Sequence, residues 1–406
     1  MHPEQWIRGP FGLDADLRVS RPGLRTVLVM VPHLVAGTRL MDLVPLLEAD
    51  HRVQVIFSPT GTAGCWHGTD EFVRAQGGLV APWQQVTQHR FDLVLAAAYN
   101  DLDQVRGPVL LTAHGASKLG NKRGSRSAGP GGTAHHGLSR ETLTHRGRVL
   151  PAVTVLTHPD ELDVLNTSCP EAAHTGLVAG DICLDRMTAS VPLRDRYRAT
   201  LGLAEGQRLV TVSSTWSTDS TFGLCLGLYH RLLDELPRTD YRVAAVLHPN
   251  IWAVHGRRQV LAWLSHCMRD GLLVLPPEEG WRATMISSDL VVGDHGSTTQ
   301  YAAAVGVPVL LAAHPRDQVR DGGPADILAR STPRVDHSAP LLPQLGAALA
   351  GSPDRHAGII DLLTARPGRA AGILRKAMYQ LLNLTEPVWP VPVSPVPLPR
   401  PIQPGG

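Results

Sequence analysis

The stretch TVLVMV (Thr26 to Val31), followed by GTRLMDLVPLL (Gly37 to Leu47) and VQVIF (Val53 to Phe57), decides the fold. The two outer runs are short, nearly continuous in apolar residues and bounded by turns, the pattern of parallel strands buried on both faces. Between them, Thr38 can cap a helix whose Leu40, Leu43, Val44 and Leu47 fall at i, i+3, i+4 and i+7. The reading is a strand, helix, strand unit of a doubly wound sheet.

The same pattern recurs outward. Asp92 to Ala97, Val109 to Ala113, Val153 to Leu156 and Leu177 to Ala179 extend the first set of strands. A second set follows a polar stretch near Val191 to Gln207: Leu209 to Ser213, Val243 to Leu247, Leu272 to Leu275, Leu290 to Val292 and Val307 to Leu311. A helical stripe runs from Phe222 through Cys225, Leu226, Tyr229, Leu232 and Leu233 to Leu236. The expectation is an α/β chain with two doubly wound Rossmann-type domains, residues 25–190 and 205–365, joined by a linker near 190–205. Residues 1–24 form an N-terminal extension and 366–386 a C-terminal helix. Residues 387–406, with eight prolines, form a tail too poor in core-forming residues to pack, read as extended and disordered.

Composition agrees. At roughly 100 to 200 residues per domain, 406 residues suggest two domains, and 39 Gly with 33 Pro suit many turns. Lys plus Arg is 38 against 36 Asp plus Glu, so no global charge commits the chain to nucleic acid. Five widely spaced cysteines without a C-x-x-C indicate neither a disulfide framework nor a zinc ribbon, so the expected compartment is the reducing cytoplasm. Glu4, Arg8, Asp14, Asp16 and Arg18 interrupt any signal-peptide core. The apolar run Tyr301 to Ala313 has 13 residues, where a spanning helix needs about 20. From Lys118 to Arg148, seven cations face Glu141 alone. This reads as a long mobile basic loop: a solvated linker, or a contact for an anionic acceptor or the anionic surface of a membrane.

In open parallel sheets, ligands bind at the carboxyl ends of the strands, and here those ends are polar. Val109 to Ala113 leads into His114-Gly115-Ala116-Ser117-Lys118, and Leu209 to Ser213 into Ser214-Thr215-Trp216-Ser217. Val243 to Leu247 leads into His248-Pro249-Asn250, and Leu290 to Val292 into Gly293-Asp294-His295-Gly296-Ser297-Thr298-Thr299. In the last element, paired glycines and hydroxyls open a helix expected over Gln300 to Val305, a place where free N–H groups and the helix dipole hold phosphate. Ser297 or Thr298 could equally be an ordinary N-cap. His114, beside a glycine, suits a general base; it could equally be a turn histidine. His248 could donate to a diphosphate oxygen or simply punctuate a turn. Asp101-Leu102-Asp103 reads as an exposed turn. Phosphate-loop, G-x-G-x-x-G, G-x-S-x-G and H-E-x-x-H motifs are absent.

These strand-end elements, in order from about Val109 to Leu311, resemble the CDP-glycerol glycerophosphotransferase family, which has the two-Rossmann GT-B architecture with domains facing across a cleft. Its H-G-T-x-x-K is similar to His114 through Lys118, and its G-x-P-R-x-D to Gly180 through Arg186. Its P-T-W-R looks like Ser214-Thr215-Trp216-Ser217, its K-x-H-P like His248-Pro249, and its D-Y-S-S like Asp294-His295-Gly296-Ser297. Ala113, Ser217 and His295-Gly296 depart from its pattern. The chain is more distantly similar to the non-hydrolysing UDP-N-acetylglucosamine 2-epimerases, through Gly37-Thr38-Arg39 and His248-Pro249-Asn250; Gln300 and Tyr301 stand where that family has acids.

The resemblance implies a transferase using a nucleotide-diphosphate donor, CDP-linked by preference, with no resident cofactor or metal. It places His114, His248 and Asp294 in catalysis, and Ser214, Thr215, His248, Gly296, Ser297, Thr298 and Thr299 at the donor. Lys118, Lys122 and Arg123 would meet a phosphate or an anionic, polyol or sugar acceptor. The alternatives are a non-catalytic scaffold that binds nucleotide or a partner, and a UDP-sugar epimerase.

Overall fold

A computed structural model describes residues 6–10, 19–62, 66–116, 137–315, 319–351, 356 and 358–403. The Val- and Leu-rich runs form strands where expected. In chain order they are β1 (Arg25–Val31), β2 (Val53–Pro59), β3 (Leu79–Val80), β4 (Leu93–Ala96) and β5 (Val109–Leu111), then a short antiparallel hairpin of β6 (Thr144–His145) and β7 (Arg148–Val149). β8 (Pro151–Leu156) and β9 (Gly176–Val178) complete a seven-stranded parallel sheet of order β3-β2-β1-β4-β5-β8-β9. β10 (Arg208–Ser214), β11 (Tyr241–Leu247), β12 (Leu273–Val274), β13 (Leu290–Gly293) and β14 (Val309–Leu311) make a second parallel sheet of order β12-β11-β10-β13-β14. Each sheet reverses direction of winding beside its first strand, at β1/β4 and β10/β13, which is where such sheets open a crevice for ligands.

The chain divides into two compact units. The first ends at Ile182 and takes back Ala365–Val393; the second runs Cys183–Thr364 and resumes at Ser394. In the first core, Val27, Val29 and Leu95 pack with Leu374, Met378 and Tyr379 of the helix Ala370–Leu381. In the second, Val210, Val212 and Ala245 pack with Leu232, Leu264 and Leu345.

Several expectations need correction. The helix after β1 is Leu34–Leu40, capped by the His33 imidazole and not by Thr38. Beyond it Pro45, which lacks an N–H, sits in a tight turn, Val44–Leu46. The stripe from Phe222 to Leu236 is two helices, Thr221–Leu224 and Leu228–Glu235, separated around Cys225 and the weak helix former Gly227.

The expected linker is helical (Ile182–Ser190 and Arg194–Thr200) and bound to the second unit: Arg194 and Arg198 pair with Asp289 at 2.8 and 2.9 Å. The second half of the basic stretch is folded, with Arg140 opening a short helix and pairing with Glu171, and Arg148 in β7. The tail is extended but placed. Val396 is buried, accepts from the Tyr197 hydroxyl at 3.0 Å, and donates to Ser190 Oγ at 3.0 Å, while Ile402 bridges to Val274. Among the described residues, no helix is long and apolar enough to cross a membrane.

Candidate functional site

In the first unit the residues of interest gather at the ends of β1, β4 and β5. His114 is exposed, and its Nδ1 lies 2.8 Å from the carbonyl oxygen of Ala97. A carbonyl only accepts, so Nδ1 carries the hydrogen and the lone pair of the neutral ring is on Nε2. The turn bearing His114 is pinned from beneath by Arg39. Its guanidinium donates to Asp181 Oδ1 at 3.0 Å and to the Gly115 carbonyl at 3.3 Å, and both charged side chains are almost wholly buried. Breaking such a pair leaves a buried charge unmatched, at a cost of about 3–5 kcal/mol.

His33 stands edge-on to His114, ring centres 5.3 Å apart at 87°. Its Nδ1 accepts from Ala36 N–H, and burial, with the nearby His114 charge second, pushes its pKa down to about 3. It is therefore a neutral neighbour to His114. Neither His33 nor the Arg39–Asp181 pair stands out in the sequence as a site. The only local hint is Gly37-Thr38-Arg39, because Asp181 lies 142 positions from Arg39. Ser117, Lys118, Lys122 and Arg123 fall outside the described residues. Asp101, in its expected turn, accepts from Thr62 N–H and Oγ1 at 3.2 and 2.9 Å.

In the second unit the centre is Asp294, after β13 and fully buried. Its Oδ2 accepts from Thr215 N–H at 2.9 Å and Thr221 N–H at 3.0 Å, with Ser214 Oγ at 3.5 Å; its Oδ1 accepts from Gly296 N–H at 2.9 Å. The carboxylate is thus held by three backbone N–H groups. Expected as a catalytic group, it ties the β10 end to the turn after β13. The Ser214 hydroxyl is likewise engaged, accepting from Phe222 N–H at 2.8 Å and donating to the Thr215 carbonyl.

The following helix is Ser297–Ala304 with Gly296 as its N-cap, so it starts three residues before the expected position and neither Ser297 nor Thr298 is the cap. Half-buried Ser297 and Thr298 occupy its first turn, and the Thr299 N–H bonds to the Gly296 carbonyl at 3.1 Å. Thr299 is buried and turned inward: a Cβ on Gly293 would fall 2.4 Å from its Oγ1. Thr299 thus packs against Gly293, with its Oγ1 buried and without a hydrogen-bond partner.

His248 caps the helix Pro249–His255. Its Nδ1 accepts from Asn250 N–H at 3.1 Å, so the neutral ring carries its hydrogen on Nε2. Trp216, 52% exposed, lies beside it, ring centres 6.3 Å apart. His295 Nδ1 is buried without a partner, and burial lowers its pKa while Asp294 and Asp219 pull it up.

No protein-family profile matches this chain, and no curated protein does. Solved structures do. A variant of the wall teichoic acid polymerase TagF soaked with CDPG superposes with a TM-score of 0.61 at 12% identity, over 88% of this chain and 89% of that one. The UDP-GlcNAc 2-epimerase from Neisseria meningitidis bound to UDP-GlcNAc gives 0.52 at 14% identity, over 88% and 99%. S. aureus MnaA with UDP gives 0.53 at 12% identity, over 89% and 98%. The chain has a GT-B-like fold of two Rossmann-type α/β domains.

Proposed function

We propose that this chain is a GT-B-type transferase that moves a glycerophosphate- or sugar-like group from a nucleotide-diphosphate donor, CDP-linked by preference, to an acceptor hydroxyl. The observation that carries the reading is the Ala97 carbonyl on His114 Nδ1, which leaves a basic nitrogen on an exposed imidazole at a strand end. In the second unit, the turn tied by Asp294 presents the first turn of Ser297–Ala304, suited to a phosphate, and His248 has the tautomer that donates. CDPG and UDP compounds in the solved neighbours TagF, MnaA and the epimerase support the donor class.

In this reading the acceptor oxygen forms its bond to the donor's phosphorus or anomeric carbon as His114 Nε2 takes the hydroxyl proton. The bond to the nucleotide oxygen breaks and the nucleotide leaves with that electron pair. Lys118, Lys122 and Arg123 are assigned to an anionic, polyol or sugar acceptor, and the compartment is the cytoplasm, with the basic stretch on an anionic membrane surface. Such a surface contact weakens with salt, which liposome sedimentation reads.

The test is a thermal-shift series with CDP, UDP, GDP, ADP, CDP-glycerol and UDP-sugars, followed by donor consumption with acceptors. A ligand at 100 times its Kd adds about 2.7 kcal/mol, several degrees in midpoint. Stabilisation by cytidine or uridine compounds alone supports the reading, and no shift with any nucleotide overturns it. A second reading, a non-catalytic scaffold, is favoured by Ser217 in place of the arginine of P-T-W-R, its Oγ buried and unpartnered; donor binding without consumption would select it. The epimerase reading is disfavoured, because Gln300 and Tyr301 are buried and uncharged.

A further inference from the structure

A separate cavity lies in the second unit beside β14, with a volume of about 640 Å³, the size of small-molecule sites. Its apolar lining includes Leu224, Leu228, Leu311 and Val335. Leu228, Leu311 and Val335 are core residues, but Leu224 is 61% exposed, an apolar side chain left facing the cavity and solvent.

The polar part of the lining is wholly basic: arginine and histidine side chains, with no carboxylate among its described residues. Arg231 is spent on structure, donating to Glu235 and to the carbonyls of His337 and Ala339. Arg334 is different. It is exposed, held at the sheet edge by the bridge between its backbone and Leu311, and its guanidinium pairs with no described residue. His337 points Nε2–H at the Ala312 carbonyl, 3.1 Å away, with Cys225 Sγ 3.6 Å from the same nitrogen. That nitrogen carries the hydrogen and burial pushes the Cys225 thiol up, so the pair makes no thiolate nucleophile.

We propose that this cavity binds an amphipathic anion: one phosphate- or carboxylate-type head on Arg334, and a short apolar body along Leu224, Leu228 and Val335. The proposal stands apart from the donor reading, which uses the ends of β10, β11 and β13.

The test is isothermal titration of the full chain with octyl phosphate and octanoate, both below their micelle concentrations. At least one is expected to bind at a single site. Inorganic phosphate, which lacks the body, and octyl glucoside, which lacks the charge, should bind at least tenfold more weakly. Arg334→Ala should weaken binding about tenfold or more, the size of one charge-assisted hydrogen bond, and Leu224→Asp, which sets a like charge beside the anion, should weaken it as well; both positions are exposed. Alkylation of Cys225, read on its own peptide, should slow when the site is filled, and CDP should not displace the ligand. Absence of binding by both amphiphiles, equal binding of octyl glucoside or phosphate, indifference to both substitutions, or displacement by CDP would each overturn it.

Discussion

A single carbonyl oxygen sets what His114 can do. Because Ala97 accepts from Nδ1, the basic nitrogen is Nε2, and general-base catalysis contributes about 10²- to 10⁴-fold. His114→Ala should therefore lower turnover by that factor while stabilisation by CDP or UDP compounds stays as in the parent chain. Undiminished turnover would remove His114 from the reaction. Its neighbour His33 makes a prediction about stability. An unfolded imidazole takes up a proton below pH about 6.5, whereas folded His33 stays neutral down to about 3. Unfolding therefore binds a proton across that window, and stability falls as pH is lowered through it, by up to about 1.4 kcal/mol per pH unit. His33→Asn keeps a capping acceptor and removes the proton. Melting curves from pH 6.5 to 5 should flatten in the variant, and an unchanged slope would contradict the assignment. Little of this was legible in the sequence. His114 is marked by its place after a strand, but its partner is 17 residues away and that of Arg39 is 142 away, and contacts at such separations leave no local periodicity.

At the scale of elements, strands were legible and turns were not. A run such as Leu209 to Ser213 is apolar because both faces of β10 are covered, and that shows in composition. β3 was missed because two half-buried residues make no pattern. The turn after β13 depends on Asp294 gathering N–H groups from three segments, which no single segment reveals. Two glycines test the packing. Gly293→Ala sets a methyl group against the buried Thr299 side chain, and overpacking of this kind costs about 1–3 kcal/mol; nucleotide-induced stabilisation should fall with it. Gly346, within the helix Leu341–Leu349, has open space where a Cβ would stand. Gly346→Ala should stabilise by about 0.4–1 kcal/mol. Chemical denaturation measures both, and equal effects would show the Gly293 contact to be soft.

At the scale of the whole molecule, the segment after Thr364 serves both units. Ending the chain after Val393 removes the acceptor of the Tyr197 hydroxyl and the strand contact to Val274, so the second unit should lose stability while the first keeps its core. Ending it after Thr364 also removes Leu374, Met378 and Tyr379 from the first core, and that unit should fail to fold. Limited proteolysis of the two truncated chains separates these outcomes; equal resistance would refute the division of labour. The route of the backbone also dictates an order of events on the ribosome. Synthesis is vectorial, and the first sheet emerges long before the helix Ala370–Leu381 that closes it. The nascent first unit must wait with an uncovered apolar face while the second sheet is made, and during that interval the chain depends on whatever shields exposed surface in the cell.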